Sequence, residues 1–288
     1  MSFLKKTFSK KNRIFQKIFL QQVENYELHE LYNFNSDALK RNVRIDLFLP
    51  PTYFSHPHEL FPVLYFNDGQ DMEALQMKAT LERLQKEQKI KACVIVAIHA
   101  GDRMQEYGTI RQPDYKQRGG KAASYAQFML KELFPFLERR YRIATTAEDR
   151  TIAGFSLGGL SAFDLAWKNP SVFGRVGVFS GSFWWRSEDF DPKDPDANRI
   201  VYEYLKKGKY QKGMQFWLQV GTEDEKDDRN NNGIIDAIDD TLDVIKALEQ
   251  IGYKKGRDIK YVEVQGGQHN PPTWGKIMPD FLQWAIGK

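Results

Sequence analysis

The chain has 288 residues, 41% of them hydrophobic and 28% charged, which suits one large α/β domain or two smaller ones and leaves enzyme and binding module equally open. Its net charge of +4 is unevenly spread: Lys5, Lys6, Lys10, Lys11, Arg13 and Lys17 precede the first acidic residue, Glu24, and leave 36 basic against 38 acidic residues in the rest. That body carries no basic stripe interleaved with stacking aromatics, so no nucleic-acid partner is expected.

Residues 1–24 form a basic N-terminal extension ahead of a domain covering 25–288, which no linker divides. Leu4, Phe8, Phe15 and Phe19 recur at near-helical spacing among the lysines, a pattern that suits a helix docked on the domain, or a tail, better than a helix lying on a membrane surface. Lysines interrupt every apolar stretch here, so the segment does not read as a secretory signal, and no run reaches the roughly 18 apolar residues of a membrane span. A cytoplasmic location is expected.

Apolar runs then alternate with amphipathic stretches. Tyr26 to Asn35 is expected to pair antiparallel with Val43 to Leu49, with turn residues at Asn35-Ser36-Asp37. Further strands are expected at Val63 to Asn67, Cys93 to His99, Arg150 to Phe155, Arg175 to Ser180, Phe216 to Val220 and Ile259 to Val264. Helices are expected at Glu73 to Gln88, Lys121 to Arg140, Leu157 to Trp167, Ala197 to Lys207, Ile238 to Glu249 and Trp274 to Ile286, with Pro135 kinking or ending one of them. This alternation predicts an α/β fold with a mostly parallel central sheet and helices on both faces. The single cysteine, Cys93, lies in the apolar run Ala92 to Ile98 and reads as a buried strand thiol.

The run Gly154-Phe155-Ser156-Leu157-Gly158-Gly159 sits where the strand ending at Phe155 hands over to a helix. A Gly-x-Ser-x-Gly elbow needs small residues two before and two after the serine, because the chain reverses so sharply that larger side chains collide, and it holds the serine oxygen out of the sheet. A serine hydroxyl is a poor nucleophile near neutral pH and needs a base and an acid to orient that base. His269 is the only histidine after Ser156; it follows Tyr261-Val262-Glu263-Val264, and Gly266 and Gly267 give its loop freedom to project the imidazole. His29, His56, His58 and His99 precede the serine and receive no catalytic role. After Phe216 to Val220, three carboxylates compete for the orienting role, Glu223, Asp224 and Glu225, of which Asp224 has the best placement. The negative charge that develops in acyl transfer also needs backbone donors. Leu157, at a helix N-terminus, offers one amide, and Gln70 in the turn Asn67-Asp68-Gly69-Gln70 offers the other, Gly69 permitting close approach and Asp68 doubling as a helix cap.

With these pieces the chain resembles the "putative esterase" family of α/β-hydrolases, which includes enterochelin esterase-like enzymes, feruloyl and acetyl xylan esterases, S-formylglutathione hydrolases and mycobacterial mycolyltransferases. The resemblance runs from about Val43 to the C-terminus. Its carriers are the segments Pro62 to Gln70, Arg150 to Gly159, Asn169 to Gly174, Gly221 to Asp224 and Gly266 to His269. It implies an α/β-hydrolase fold with Ser156 as nucleophile, His269 as general base and then acid, Asp224 as orienting carboxylate, and the Gln70 and Leu157 amides as oxyanion hole. Gln268 stands where many relatives carry a second histidine. The Asp68-Gly69-Gln70 form looks most like the enterochelin esterase-like branch, whose substrates are diverse.

A second constellation runs from Asp228 to Asp239. Asp228, Asn230, Asn232, the Ile234 carbonyl, Asp236 and Asp239 fall at positions one, three, five, seven, nine and twelve of a calcium loop, with Gly233 at six and aspartate in place of the usual final glutamate. An acidic, asparagine-rich surface loop is the plainer alternative. The expected activity is metal-independent ester cleavage through an acyl-enzyme, with no catalytic cofactor and a structural calcium beside the acid loop; acyl transfer to an alcohol, or a binding protein that kept the fold, are the alternatives. Trp184, Trp185 and Arg103 are candidates to line the pocket of a small-molecule, glycoside or aryl ester.

Overall fold

The computed structural model describes residues 25–288, and the N-terminal extension lies outside them. Strands β1 (Glu27–Ser36) and β2 (Arg41–Leu49) form the expected antiparallel hairpin at one edge. Its turn falls at residues 37–40, later than the turn residues suggest, because the Ser36 hydroxyl accepts the Leu39 amide at 3.0 Å and Lys40 takes the left-handed conformation (φ 56°). Beyond them lie β3 (Val63–Asn67), β4 (Val94–Ile98), β5 (Arg150–Phe155), β6 (Arg175–Phe179), β7 (Gln215–Glu223) and β8 (Ile259–Gln268). The eight strands form one sheet in the order β1-β2-β4-β3-β5-β6-β7-β8, in which β4 onward run parallel.

The helices are α1 (Met77–Lys86), α2 (Arg103–Glu106), α3 (Ala122–Gln127), α4 (Phe134–Arg140), α5 (Leu157–Lys168), α6 (Ile200–Leu205), α7 (Asp236–Gln250) and α8 (Pro271–Ile286). They cover both faces, which is why β3, β4 and β5 are buried at every position and are mostly apolar, with polar residues only at Asn67 and at Arg150 and Thr151. Alternate residues feed two cores. Val63, Tyr65, Val96 and Ile152 pack with Phe128, Leu133, Leu160 and Phe163 on one side. Leu64, Phe66, Ala153 and Phe155 pack with Leu81, Trp274, Met278 and Phe281 on the other. Each large side chain so buried contributes roughly 1.5–3 kcal/mol.

Several boundaries differ from the sequence pattern for local reasons. The stretch from Lys121 to Arg140 is not one α-helix: α3 and α4 are joined by a π-helical run, Phe128–Leu133, and Pro135 sits in the first turn of α4. Proline donates no amide and its ring crowds the carbonyl four residues back, so the preceding turn widens and the helix axis continues. Helix α1 starts only at Met77, because Gln76 before it is left-handed (φ 53°). Strands β7 and β8 run on to Glu223 and Gln268, so the acid and histidine segments are sheet extensions where loops were expected. Cys93 is buried, 3.7 Å from the Tyr26 hydroxyl, and burial pushes its thiol up to about 12. Among the described residues no helix is long and apolar enough to cross a membrane.

Candidate active site

Ser156 stands between β5 and α5 with φ 54° and ψ −120°, a conformation that a non-glycine residue holds only where surrounding packing imposes it. Its amide donates to the Phe179 carbonyl at 2.8 Å, which pins the elbow to β6. A Cβ on Gly154 would lie 2.9 Å from the Gly159 nitrogen, and one on Gly158 would strike the Asp68 carboxylate, so Gly154 is required by close backbone approach and Gly158 by the side chains of the turn after β3. The Ser156 hydroxyl is half-buried, with the Ser182 Oγ 3.4 Å away. The Leu157 amide opens α5 and donates to no partner among the described residues.

The turn after β3 is bolted to this elbow. Asn67 Nδ2 donates to the Gly158 carbonyl at 2.8 Å, and Asn67 Oδ1 accepts from the Tyr125 hydroxyl at 2.6 Å. Asp68 is fully buried in a left-handed conformation (φ 61°), and its amide donates to the Tyr107 hydroxyl at 3.0 Å. Its carboxylate takes a two-point ion pair from Arg103, at 2.8 and 3.1 Å, and Arg103 also donates to the Phe155 carbonyl at 3.0 Å. One guanidinium therefore ties the turn to the residue before Ser156. The Gln70 amide, like that of Leu157, donates to no partner among the described residues, while the Gln70 side chain spans Asp68 and the Ala100 amide. Arg103, a candidate to line the pocket, commits its guanidinium to Asp68 and the Phe155 carbonyl while a third of its side chain stays exposed.

At the same carboxyl end of the parallel strands, Asp224 and His269 leave β7 and β8 side by side. His269 Nδ1 lies 4.0 Å from Asp224 Oδ2, close enough for ion pairing and about 1 Å beyond a hydrogen bond. The Asp224 carboxylate is completely buried and neither oxygen has a hydrogen-bond partner, so His269 is the group positioned to satisfy it. Glu223 is exposed and reaches Gln268, and Glu225 is pushed up to about 7, first by burial and then by Asp236, Asp240 and Asp227. Gly266 and Gly267 do not loosen a loop. Gly266 makes a strand irregularity (φ +66°) and donates to Thr222 Oγ1 at 2.9 Å, so His269 issues from a braced backbone. Burial holds the imidazole below its ordinary value; Asp224 opposes this and the Arg103 charge adds to it, which places Arg103 within electrostatic reach of His269.

The two tryptophans part company. Trp184 is 38% exposed, whereas Trp185 is fully buried against Gly108 and Gly119, so the expected aromatic pair is corrected to a single exposed indole. Arg118, held by Asp114, lies 5.1 Å over the Trp184 ring. In the Asp228 to Asp239 loop, the Asp228 carboxylate accepts the Asn232 and Gly233 amides, and Asp239 accepts from the Asn230 and Asn232 side chains at 3.0 and 2.7 Å. Asp236 opens α7 and turns to Arg229, accepting its amide at 2.8 Å and pairing with its guanidinium at 3.2 Å. Among the described residues no three His, Cys, Asp or Glu side chains gather as metal ligands. Residues that the sequence pattern did not single out for the site are Tyr125, Ser182 and Trp274, whereas Asn67 and Asp68, polar residues at the end of an apolar strand, carried a readable signal.

A family model described as "Putative esterase" matches residues 36–285. The chain is 26% identical over 251 residues to "Uncharacterized protein YbbA" of Bacillus subtilis, spanning 86% of this chain and 94% of that protein. Among solved structures it is similar to a ferulic acid esterase, with a TM-score of 0.66 at 18% identity over 91% of this chain and 97% of that one. It is also similar to the enterobactin esterase of Shigella flexneri, with a TM-score of 0.69 at 21% identity over 90% of this chain and 58% of that one.

Proposed function

The chain belongs to the "Putative esterase" family and is a carboxylic ester hydrolase on an α/β-hydrolase fold, and we propose that it works as a serine esterase through an acyl-enzyme. Ser156 attacks the ester carbonyl as His269 takes its proton, with Asp224 holding the ring's charge and direction. The tetrahedral oxyanion is met by the Leu157 and Gln70 amides, and the Arg103 guanidinium lies near enough to add positive charge. His269 then returns the proton to the leaving alcohol, and water repeats the sequence on the acyl-enzyme. The observation that carries this reading is the elbow: a strained Ser156 opening a helix, beside two amides with no internal partner. Asp68, a buried negative charge beside the proposed oxyanion, is compatible with it because Arg103 neutralises that carboxylate.

The substrate proposed is a small ester with an aryl group. The exposed Trp184 indole with Arg118 above it offers a stacking surface, and the names of the similar solved structures point to phenolic acyl groups. The loop from Asp228 to Asp239 is proposed to hold a structural calcium through Asp228, Asn230, Asn232, the Ile234 carbonyl and Asp239, with Asp236 engaged by Arg229 and reaching the ion at most through water. Covalent labelling by a fluorophosphonate, blocked in Ser156→Ala, tests the central reading. That variant should fold normally and lose about a millionfold in turnover of p-nitrophenyl acetate; near-normal hydrolysis would remove Ser156 as nucleophile.

A further inference from the structure

The 4.0 Å gap between His269 and Asp224 leaves open what sets the direction of the imidazole ring. The backbone on either side is already fixed. Asn270 caps α8 by accepting the Thr273 amide at 3.0 Å, the Gln268 amide donates to Thr273 Oγ1 at 2.9 Å, and Pro271 and Pro272 follow. What remains free is rotation of the side chain itself. Against it stands Trp274, one helical turn beyond the cap, with its ring centroid 5.4 Å from that of His269 and the planes at 76°.

Trp274 is itself immobilised from two further directions. Its other contact stacks on Phe155, the residue immediately before Ser156, at 5.0 Å and 26°. Its indole Nε1–H donates to Ser180 Oγ at 2.9 Å in a buried site, and the Ser180 amide donates to the Gln219 carbonyl of β7. Core filling accounts for the hydrogen bond, since a buried indole N–H needs an acceptor, but not for the edge-to-face contact with a partly exposed histidine. The indole thus forms a rigid spacer between the strand that presents the nucleophile and the ring that must reach it.

We propose that Trp274 is a positioning residue of the esterase site, setting the His269 imidazole against Ser156 from one side while Asp224 supplies charge from the other. This rests on the serine-esterase reading above. Misplacing a catalytic group by about 1 Å commonly costs about a hundredfold in rate. The indole also helps to bury the ring, so its loss should let the histidine titrate closer to its ordinary value, with Asp224 and Arg103, the charged groups that act on it, left in place.

The test compares Trp274→Leu, Trp274→Phe and Ser180→Ala with the full wild-type chain. Each is assayed for steady-state hydrolysis of p-nitrophenyl acetate, for the rate of fluorophosphonate labelling, and for melting temperature. Trp274→Leu should lower kcat and the labelling rate about a hundredfold with KM within threefold, and should move the acid limb of the pH profile upward. Trp274→Phe, which keeps an aromatic face, should recover to within about tenfold of wild type. Folded Trp274→Leu that labels within threefold of wild type on an unmoved acid limb would reduce Trp274 to packing. If Trp274→Leu does not fold, Ser180→Ala decides: a loss of about tenfold in labelling supports the proposal, and an unchanged rate overturns it. Wild-type protein that takes no fluorophosphonate at all would overturn the esterase mechanism itself, a failure separable from that of Trp274.

Discussion

Replacing Gly221 by alanine should separate the proposed acid from the base without substituting either. A Cβ at 221 would lie 2.6 Å from Asp224 Oδ1 and 2.5 Å from the Gly267 carbonyl carbon, and would come closer still to the Gly267 oxygen, where ordinary contact begins at 3.4 Å. Two of these three atoms are backbone, so rotamer changes cannot relieve the clash; the ends of β7 and β8 must part by about 1 Å. The shift falls on the Asp224 carboxylate and on a residue two places before His269, and it widens a pair that already stands at 4.0 Å. Overpacking of this kind costs about 1–3 kcal/mol, which leaves a domain of ordinary stability folded but several degrees less heat-resistant. Turnover should fall about a hundredfold, from displacement of the catalytic pair alone. Initial rates with p-nitrophenyl acetate, normalised to folded protein by circular dichroism, provide the measurement. A folded Gly221→Ala variant within threefold of wild-type kcat would refute the reasoning, because it would mean that the Asp224–His269 spacing does not limit the reaction.

Other consequences follow from the charges around the site. Because burial holds the His269 imidazole below its usual value, the acid limb of kcat/KM should have its half-point below about 6.5, and the fold should lose stability as pH falls below that value while gaining none above it; a half-point above 6.5 would show that Asp224 outweighs burial. Arg103→Met leaves the buried Asp68 carboxylate unpaired and should cost about 3 kcal/mol, with a loss of kcat; adding Asp68→Asn should restore the melting temperature and not the rate, and full recovery of both would confine Arg103 to neutralising Asp68. Calcium at about a hundredfold above its dissociation constant should add roughly 2.7 kcal/mol to stability, seen as a rise of a few degrees in Tm that chelator reverses and Asp228→Ala abolishes. Calorimetry showing no calcium binding up to millimolar concentration in chelator-stripped protein would return that loop to ordinary acidic surface.

The parts of this protein written in its sequence are those governed by near neighbours along the chain. The apolar runs from Val63, Val94 and Arg150 identify buried parallel strands because each needs cover on both faces, whatever supplies it. The elbow is legible because Gly154 answers a demand made within five residues, by the backbone of Gly158 and Gly159, although the demand on Gly158 comes from the distant Asn67 and Asp68. Tertiary structure alone decided the pairings between segments far apart in sequence. Arg103 meets Asp68 across 35 residues and the Phe155 carbonyl across 52, a tie between the turn after β3 and the elbow that no local pattern announces. The neighbouring Trp184 and Trp185 look alike in sequence, yet one is exposed and the other vanishes behind Gly108 and Gly119. Asp236 occupies a calcium-loop position by spacing, but α7 begins there and carries it to Arg229. Composition and spacing specify what a segment must bury and how sharply it can turn. Which partner meets it depends on the order in which the strands assemble, β4 before β3 and β8 at the far edge, and that order is settled by packing of the whole chain.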